Sequence, residues 1–483
     1  MGLSISSSYS TPYQIISKVS EFVRGTKRKL SERDTEDNMD KIIDIAMHTP
    51  KRKKVETTAQ YIYQALFKEG KNSDVKVSAL GVDFMLHKIY LCQSPYFASM
   101  FGGSWLESEK TFINIDVVDP AITKESLNTV FGSLYCDEIM LNPIEVIPIL
   151  ATATMFQLDG IIDKCREVMI ETINSKTALD YYSAACQYGD TKLKERSIKW
   201  FLVNLMGYFY NLSHLDQLGT IPIDLMSLLV LHPDLCVMKT EITLYVLLTQ
   251  WMYVQLHPDE EYSSQEITNF YGSRKDDVPY LLTEEAHPYI SVFQNLRLQH
   301  LITHHMDVEL LLRENVIPKG WIQNVVMQQW KLTLKVNQNE EKGPAEISRE
   351  SFLSYSLRCG RTLEVREKHM WRWTGFHYGV DLIMMADDRS LSIKRNHRPE
   401  YEQLLSLQTV RHIAIRVTVY TLNEQRQIVY SQCSGIKYLS LSKSEETTLL
   451  TFDQINFPLV ISANVLFVTP EEVENVENVL TVT

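Results

Sequence analysis

The 483-residue sequence lacks the features that mark secreted, membrane-spanning or zinc-binding chains. It has only seven cysteines, and none lies within four residues of another. This spacing excludes Cys-x-x-Cys zinc motifs and is typical of a reducing compartment. No apolar run approaches the roughly 18 residues of a membrane span, and no signal peptide opens the chain. We therefore expect an intracellular protein that is not integral to a membrane.

The sequence has fewer basic than acidic side chains. The chain has 48 Lys and Arg against 60 Asp and Glu, a formal net charge of −12 that disfavours nucleic acid as its partner. Residues 1–60 depart from this balance, because they hold 11 basic and 8 acidic side chains, a local charge of +3. A basic segment in front of an acidic remainder favours targeting information over a folded domain.

Motifs for catalysis are missing as well. We find no nucleophile elbow, no phosphate-binding glycine loop and no metal triad, so we predict no catalytic residue, metal or cofactor. His300 and His304 have the i, i+4 spacing of helical metal ligands, and His305 is adjacent. No acidic or thiolate third ligand follows at a recognisable spacing, so we favour a structural or surface role. A kelch propeller would repeat a Gly-Gly pair in each blade, and the sequence has only one such pair, at residues 102–103, so this fold is excluded.

The most informative stretch runs from Ser73 to Phe101, SDVKVSALGVDFMLHKIYLCQSPYFASMF. Val75 and Val77 alternate with polar residues and predict a half-buried strand, and a second strand at residues 84–86 follows a turn at residues 80–83. The apolar spacing then changes to three and four, which predicts two short helices with a break near Pro95.

This order of residues resembles the front half of a BTB (POZ) domain, an interaction fold. The matching features are Ser-Asp-Val at the first strand, the His87-Lys88 pair, and Ser94 with Tyr96-Phe97. The resemblance implies a two-fold homodimer with Asp74, His87 and Lys88 at its interface. A local Asp74–Lys88 salt bridge is the alternative.

The resemblance also implies a contact with cullin-3. Trp105-Leu106-Glu107 fits the apolar-x-Glu step of cullin-3-binding BTB proteins, and Tyr135 falls where many of them contribute an aromatic contact. The alternative is that the Trp105 side chain packs inside the domain and the Glu107 carboxylate only keeps its loop in contact with solvent.

Two further regions follow the BTB pattern. Residues 221–251, with Glu241 and Trp251 ten residues apart, resemble the helical BACK domain of ubiquitin-ligase adaptors. Apolar stripes like those in this stretch also occur in the core of ordinary helical bundles, which is the alternative. Residues 258–280 are polar and predict a loop. Strict alternation at residues 411–420, with short strands at 390–394, 427–430, 437–441 and 459–468, predicts a β-sandwich.

The last region carries a more specific resemblance. Residues 371–376, 379–382 and 393–396, with the linker at 60–68, look like the germ cell-less family of BTB–BACK proteins. Membership implies a substrate adaptor of a cullin-3 ubiquitin ligase, linked to germ-cell formation and the nuclear envelope. A nuclear-envelope or lamina scaffold, or a transcriptional regulator without ligase activity, is the alternative. A DNA-reading factor is disfavoured, because zinc fingers and a helix-turn-helix are missing.

An unidentified protein substrate is expected at the C-terminal region. Its aromatic and basic run suggests a binding surface formed by Trp371, Trp373, Lys394 and Arg395. The alternative is that the tryptophans fill the sandwich core.

The basic first segment contains two address signals. Gly2, in Met-Gly-Leu-Ser-Ile-Ser, fits N-myristoylation, which would bring the chain to a membrane; the pattern is short and also occurs by chance. Lys51, Arg52, Lys53 and Lys54 suggest nuclear import, against a solvated linker. Together they suggest nucleus and nuclear envelope, with plasma membrane or cytoplasm as further locations.

We therefore predict an α+β multidomain chain. Its parts are a disordered basic tail at 1–55, a BTB/POZ domain at 56–175, an α-helical BACK domain at 176–345 with a loop at 258–280, and a β-rich, sandwich-like domain at 346–483.

Overall fold

The computed structural model describes residues 57–102, 110–209, 214–258, 263–274, 277–338, 340, 343–344, 347–372, 380–397, 408–452 and 456–468. Within this part of the chain, no helix combines the length and apolar character that a membrane crossing requires. Gly2, Lys51–Lys54, Trp105–Glu107 and Trp373 lie outside the described residues. The chain divides into two compact units: residues 1–72 with 135–137, and residues 73–134 with 138–483.

The described part of the first unit contains a short helical stretch whose aromatic side chains pack against one another. The helix α1 (Thr58–Ile62) begins with a capping box, in which Thr57 accepts from the Gln60 amide at 3.1 Å. It continues as a π-helical segment, Tyr63–Lys68. The apolar stripe of Ile62, Ala65 and Leu66 predicts a short amphipathic helix over residues 58–68, which these two segments form. The Phe67 and Tyr135 rings lie 5.4 Å apart.

The second unit opens with a three-stranded sheet. The strands are β1 (Val75–Ala79), β2 (Val82–Leu86) and β3 (Phe112–Ile115), in the order β2-β1-β3, with β1 antiparallel to β2 and parallel to β3. The turn is shorter than predicted, because Leu80 and Gly81 alone form it, both at positive φ (49° and 72°). Two such residues fit a type I′ turn, whose twist matches that of the paired strands.

Among its described residues, this part of the second unit also contains five helices. Their core contains the rings of Phe97, Phe131 and Phe156, whose centroids lie 5.2 Å apart for both Phe97–Phe156 and Phe131–Phe156. The residues Asn142-Pro143-Ile144-Glu145 have the sequence pattern of a helix start, which predicts a helix from residue 142 with a kink at Pro148. This is corrected: the helix begins at Val146, so Pro148 lies in its first turn, where proline removes no internal hydrogen bond. The helices are α2 (Lys88–Leu91), α3 (Pro95–Gly102), α4 (Lys124–Ser133), α5 (Val146–Met155) and α6 (Asp159–Glu171).

A helical region follows. The Gly-Asp pair between two helical patterns predicts a C-cap at Gly189 and an N-cap at Asp190. Gly189, at φ 72°, ends one helix, and the Asp190 carboxylate accepts from the Leu193 amide at 2.9 Å to cap the next, which confirms both caps. The predicted loop at 258–280 is corrected, since it contains a helix that begins with a Ser263–Glu266 capping box. The helices are α7 (Ala178–Tyr188), α8 (Thr191–Phe209), α9 (Leu215–Gly219), α10 (Ile223–Leu231), α11 (Glu241–Leu256), α12 (Ser264–Ser273), α13 (Ile290–Gln294), α14 (His305–Glu314), α15 (Lys319–Asn337) and α16 (Arg349–Tyr355).

The C-terminal region is a sandwich of two four-stranded antiparallel sheets, as the alternation predicts. Their orders are β4-β11-β8-β9 and β10-β7-β6-β5, and side chains from both sheets form one apolar core. β11 has the predicted bounds, whereas the two strands predicted at 427–430 and 437–441 are one strand, β9. The strands are β4 (Leu357–Leu363), β5 (His369–Arg372), β6 (Asp381–Ala386), β7 (Ser390–Asn396), β8 (Val410–Leu422), β9 (Ile428–Ser442), β10 (Glu446–Thr451) and β11 (Leu459–Val468).

Candidate interaction surfaces

The residues predicted for the dimer interface meet at the start of α2. The Asp74 carboxylate, which is exposed, accepts a hydrogen bond from the backbone amide of Lys88 at 2.8 Å and so anchors the first turn of that helix. The Lys88 ammonium lies 5.2 Å from the centre of the Phe101 ring. His87 is 8% exposed, with its ring 6.2 Å from that of Tyr90. The predicted Asp74–Lys88 proximity is thus present as a side-chain to backbone bond.

The outer face of the three-stranded sheet beside these residues carries exposed apolar side chains next to a Lys76–Asp83 ion pair. Met85, Lys76 and Phe112 occupy one row across β2, β1 and β3, so their side chains point to the same face. Met85 is 49% exposed and Phe112 is 51% exposed, and the Lys76 ammonium lies 5.8 Å from the Phe112 ring centre. Ile89, on α2, is 79% exposed. Exposed apolar side chains on a sheet face are a feature of association surfaces.

The residues predicted to bind cullin-3 are only partly described. Trp105, Leu106 and Glu107 belong to the undescribed stretch between α3 and β3. Tyr135 is 3% exposed and packs against Phe67, so its ring is not available as a surface contact in this fold. This corrects the expectation of an exposed aromatic group at Tyr135.

The substrate-binding candidates are mostly internal. Trp371 is 6% exposed and belongs to the sandwich core, and Arg395 is 2% exposed. The Arg395 guanidinium donates to the carbonyls of Gln408 at 2.8 Å, Thr409 at 2.9 Å and Leu441 at 3.1 Å. Burial lowers the pKa of Arg395 to about 10. The expected exposed surface is therefore corrected at these two positions, while Lys394 is half-buried.

A charge network that the sequence did not reveal lies between the helices and the sandwich. Glu241, the first residue of α11, forms an ion pair with Arg358 of β4, and the two side chains are 0% and 1% exposed. Arg358 also donates to the Val230 carbonyl at 2.7 Å. The Arg297 amide donates to Glu241 at 2.9 Å, and the Arg297 guanidinium donates to the Ser356 hydroxyl at 3.1 Å. Two arginines and one buried carboxylate thus join α11 to the start of the sandwich.

The pKa values of this network follow from burial and mutual attraction. Burial alone would raise the pKa of Glu241, but the charge and hydrogen bonds of Arg358, with the amide and charge of Arg297, outweigh it, so the pKa lies below 4.5. Burial, together with repulsion from Arg358, lowers the pKa of Arg297 to about 9. The carboxylate is therefore held in its charged form, which a buried ion pair requires.

Neighbouring histidines have local structural roles. His300 is 6% exposed, its Nε2 lies 2.7 Å from the Tyr355 carbonyl, and burial lowers its pKa to about 4. His304 caps α14 by accepting from the Met306 amide at 3.2 Å, and His305 lies 3.5 Å from Glu309. In the part of the chain that the structure describes, no group of three or more His, Cys, Asp or Glu side chains is placed to hold a metal ion.

The tip of the β8–β9 hairpin makes a second junction with the helices. The Arg426 carbonyl accepts from the Trp200 indole at 3.0 Å and the Asn204 amide at 3.2 Å, both on α8. The side-chain amide of Gln427 donates to the backbone carbonyl of Glu171 at 2.6 Å. A cleft of about 610 Å³ lies between α8 and strands β8 and β9, where Lys199, Arg416 and Cys433 are among its lining residues.

Comparison with known proteins agrees with this architecture. Residues 63–173 match the BTB/POZ domain family. Protein germ cell-less of Drosophila melanogaster is 44% identical over 476 residues, which covers 92% of this chain and 83% of the relative. Germ cell-less protein-like 1 of Homo sapiens is 38% identical over 437 residues, covering 88% and 84%. Kelch repeat and BTB domain-containing protein 8 of Xenopus tropicalis is 29% identical over 136 residues, covering 28% and 22%.

The long relatives and the BTB/POZ match together point to a non-catalytic adaptor or scaffold that acts through protein–protein contacts. The extent of identity, which includes the helices and the sandwich beyond the BTB/POZ residues, shows that the chain belongs to the germ cell-less family.

Proposed function

We propose that this chain is a substrate adaptor of a cullin-3 RING ubiquitin ligase. The BTB/POZ domain recruits cullin-3 as a homodimer, and the C-terminal sandwich takes the protein substrate, in germ-cell formation at the nuclear envelope. Catalysis then belongs to the recruited partner.

One observation carries the proposal: the interaction domain and the sandwich are both fixed to the helical region between them. The Tyr188 hydroxyl of α7 donates to Asp119 at 2.9 Å, which ties the helices to the BTB/POZ residues. The Glu241–Arg358 pair ties them to the sandwich. Contacts of this kind suit an adaptor, because an adaptor must hold a substrate at a constant position relative to the ligase.

The substrate surface has to be sought away from Trp371 and Arg395. Trp373 and Lys394 remain candidates from the sequence. In β9, an edge strand of its sheet, Val429 is 63% exposed and Tyr430 is 41% exposed. An edge strand can pair with an extended peptide through backbone hydrogen bonds, so β9 is the second candidate.

The experiment that tests the proposal is capture of purified cullin-3 by the full chain. Trp105→Ala combined with Glu107→Lys removes the proposed aromatic anchor and its neighbouring charge, and truncation of such an anchor costs on the order of 2–4 kcal/mol at an interface centre. Binding should fall by roughly 30-fold or more. The matched control is Leu312→Ala with Glu309→Lys, an exposed apolar and acidic pair on α14.

The control should bind cullin-3 as the wild type does, and both variants should keep the wild-type circular dichroism. Undiminished binding by the Trp105/Glu107 variant, or equal loss in the control, would refute the assignment of this loop.

The second candidate is a nuclear-envelope or lamina scaffold, or a transcriptional regulator, without ligase activity. It is favoured by the sequence of the first segment, where Gly2 and Lys51–Lys54 provide membrane and nuclear addresses. Purification of the tagged protein from cells under mild conditions separates the two. If no cullin accompanies it, the scaffold replaces the adaptor.

A further inference from the structure

Helix α15 carries a second apolar face. Its first face contacts the preceding segment, where the Gln329 amide donates to the Ile302 carbonyl at 3.0 Å. On another side, Val326, Trp330 and Leu334 recur every four residues and are 41%, 61% and 44% exposed, with Met327 beside them at 62%. These four residues are called the exposed stripe. A solvent-facing helix side normally carries polar residues, so the exposed stripe suits a partner helix.

The charge of α15 is of one sign. Residues 319–337 contain Lys319, Lys331 and Lys335 and no acidic residue. Lys331 is exposed and, one position after Trp330, flanks the exposed stripe, while Lys335 lies 3.8 Å from Glu340. The occupant that fits this face is therefore both apolar and acidic.

The chain itself contains a segment with this composition. Residues 469–483, TPEEVENVENVLTVT, are called the tail segment; they hold four glutamates and no basic residue. Val473, Val476 and Leu480 have i, i+3, i+7 spacing, which is typical of an amphipathic helix with one apolar edge. Residues 1–60, by contrast, carry a local charge of +3, which disfavours them as the occupant of a basic face.

The tail segment also starts in a suitable place. It follows Val468, the last residue of β11, whose backbone touches Gly343: a Cβ on Gly343 would lie 2.3 Å from the Val468 Cα. Gly343 is only six residues beyond Asn337, the end of α15. A helix at residues 473–480 would be about 10 Å long at 1.5 Å per residue, close to the roughly 12 Å from Val326 to Leu334.

We propose that the tail segment packs as an antiparallel amphipathic helix on the exposed stripe of α15. Val473, Val476 and Leu480 cover Trp330 and its neighbours, and the glutamates lie beside Lys331. The face is thus an intramolecular docking site, independent of cullin-3 or substrate binding.

Zero-length carbodiimide cross-linking of the full chain tests this proposal, because it joins a lysine only to a carboxylate in contact with it. The sample mixes unlabelled and ¹⁵N-labelled protein, and mass spectrometry identifies the linked peptides. We expect links from Lys331 to Glu474 or Glu477 within one chain. Three outcomes would overturn the proposal. Links only between chains would assign the face to a second copy, and links to residues 1–56 would assign it to the other terminus. The absence of any link would mean that the face is unoccupied.

Two variants and one control variant test the apolar contact. Val473→Ser with Leu480→Ser should abolish the Lys331 links, whereas Val482→Ser, beyond the end of the proposed helix at residues 473–480, should leave their yield unchanged. Trp330→Ala changes the other partner and should also abolish the links while circular dichroism stays that of the wild type. Equal yields in all variants would overturn the proposal.

Discussion

Arg358→Ala is the substitution with the largest expected effect on stability. It leaves the Glu241 carboxylate, at 0% exposure, without its ion-pair partner, and it leaves the Val230 carbonyl without the guanidinium donor at 2.7 Å. Breaking a buried pair in this way costs about 3–5 kcal/mol. At 1.4 kcal/mol per factor of ten, the unfolding constant should rise by about two to four powers of ten.

Urea unfolding, followed by tryptophan fluorescence and far-ultraviolet circular dichroism, measures this loss. The matched control is Arg361→Ala, three residues along β4, where the side chain is exposed and lies 5.5 Å from the Trp371 ring. An exposed cation–π contact is worth about 0.5–1 kcal/mol, so the control should stay below about 1 kcal/mol. If Arg358→Ala costs no more than Arg361→Ala, the role given to the buried pair is refuted.

A double variant distinguishes the stability that the ion pair contributes from the cost of leaving one buried charge without its partner. Glu241→Leu with Arg358→Met should be less destabilised than Arg358→Ala alone, because the Glu241 carboxylate is no longer buried without Arg358, and the Arg297 guanidinium keeps its bond to the Ser356 hydroxyl. The pH dependence gives an independent check. The pKa of Glu241 is lower in the folded than in the unfolded chain, so its stabilisation is complete above about pH 4.5 and is lost as the pH falls through the folded value. The stability difference between wild type and Glu241→Gln should therefore shrink below pH 4.5.

Three further predictions concern other sites. Burial raises the pKa of Glu314, whose carboxylate accepts a hydrogen bond from the Tyr245 hydroxyl at 2.8 Å. Because the pKa is higher in the folded chain, ionisation of Glu314 lowers the stability of the wild type as the pH rises. In thermal melts, the stability of Glu314→Gln relative to the wild type should therefore be higher at pH 8 than at pH 4. Asp74→Ala should remove the acceptor of the Lys88 amide and weaken the proposed homodimer, and a monomeric wild type in light scattering at micromolar concentration would contradict this. Gly2→Ala should release the protein from membranes, and neutral residues at Lys51–Lys54 should move it to the cytoplasm; unchanged imaging of both variants would refute the two addresses.

Local patterns in the sequence predict much of the fold. The hairpin at β1 and β2, the caps at Gly189 and Asp190, and the bounds of β11 depend on period, turn residues and capping side chains, which act over a few residues. The polar composition of α12 is typical of a loop, and only the capping-box spacing of Ser263 and Glu266 indicates the start of a helix.

The sites were harder to predict, since burial of a charged or aromatic side chain depends on distant partners. Arg395 and Trp371 belong to a basic and aromatic run that suits a surface, yet carbonyls of three other positions surround Arg395, and both sheets enclose Trp371. Arg358 similarly lies in a strand without strict alternation, and its partner is 117 residues away. No local spacing could have shown that these side chains are internal.

The two junctions between helices and sandwich also set an order for folding during synthesis. The Trp200 indole and its acceptor at Arg426 are 226 residues apart, and Glu241 precedes Arg358 by 117 residues. At roughly 5–20 residues per second, Trp200 waits on the order of 10–45 s for its partner, and Glu241 waits about 6–23 s. During this interval the nascent helical region presents a carboxylate and an apolar helix side that only the last third of the chain will cover. Ribosome-bound chains that stop before Arg358 should therefore hold chaperones on this side, and completion of the sandwich should release them.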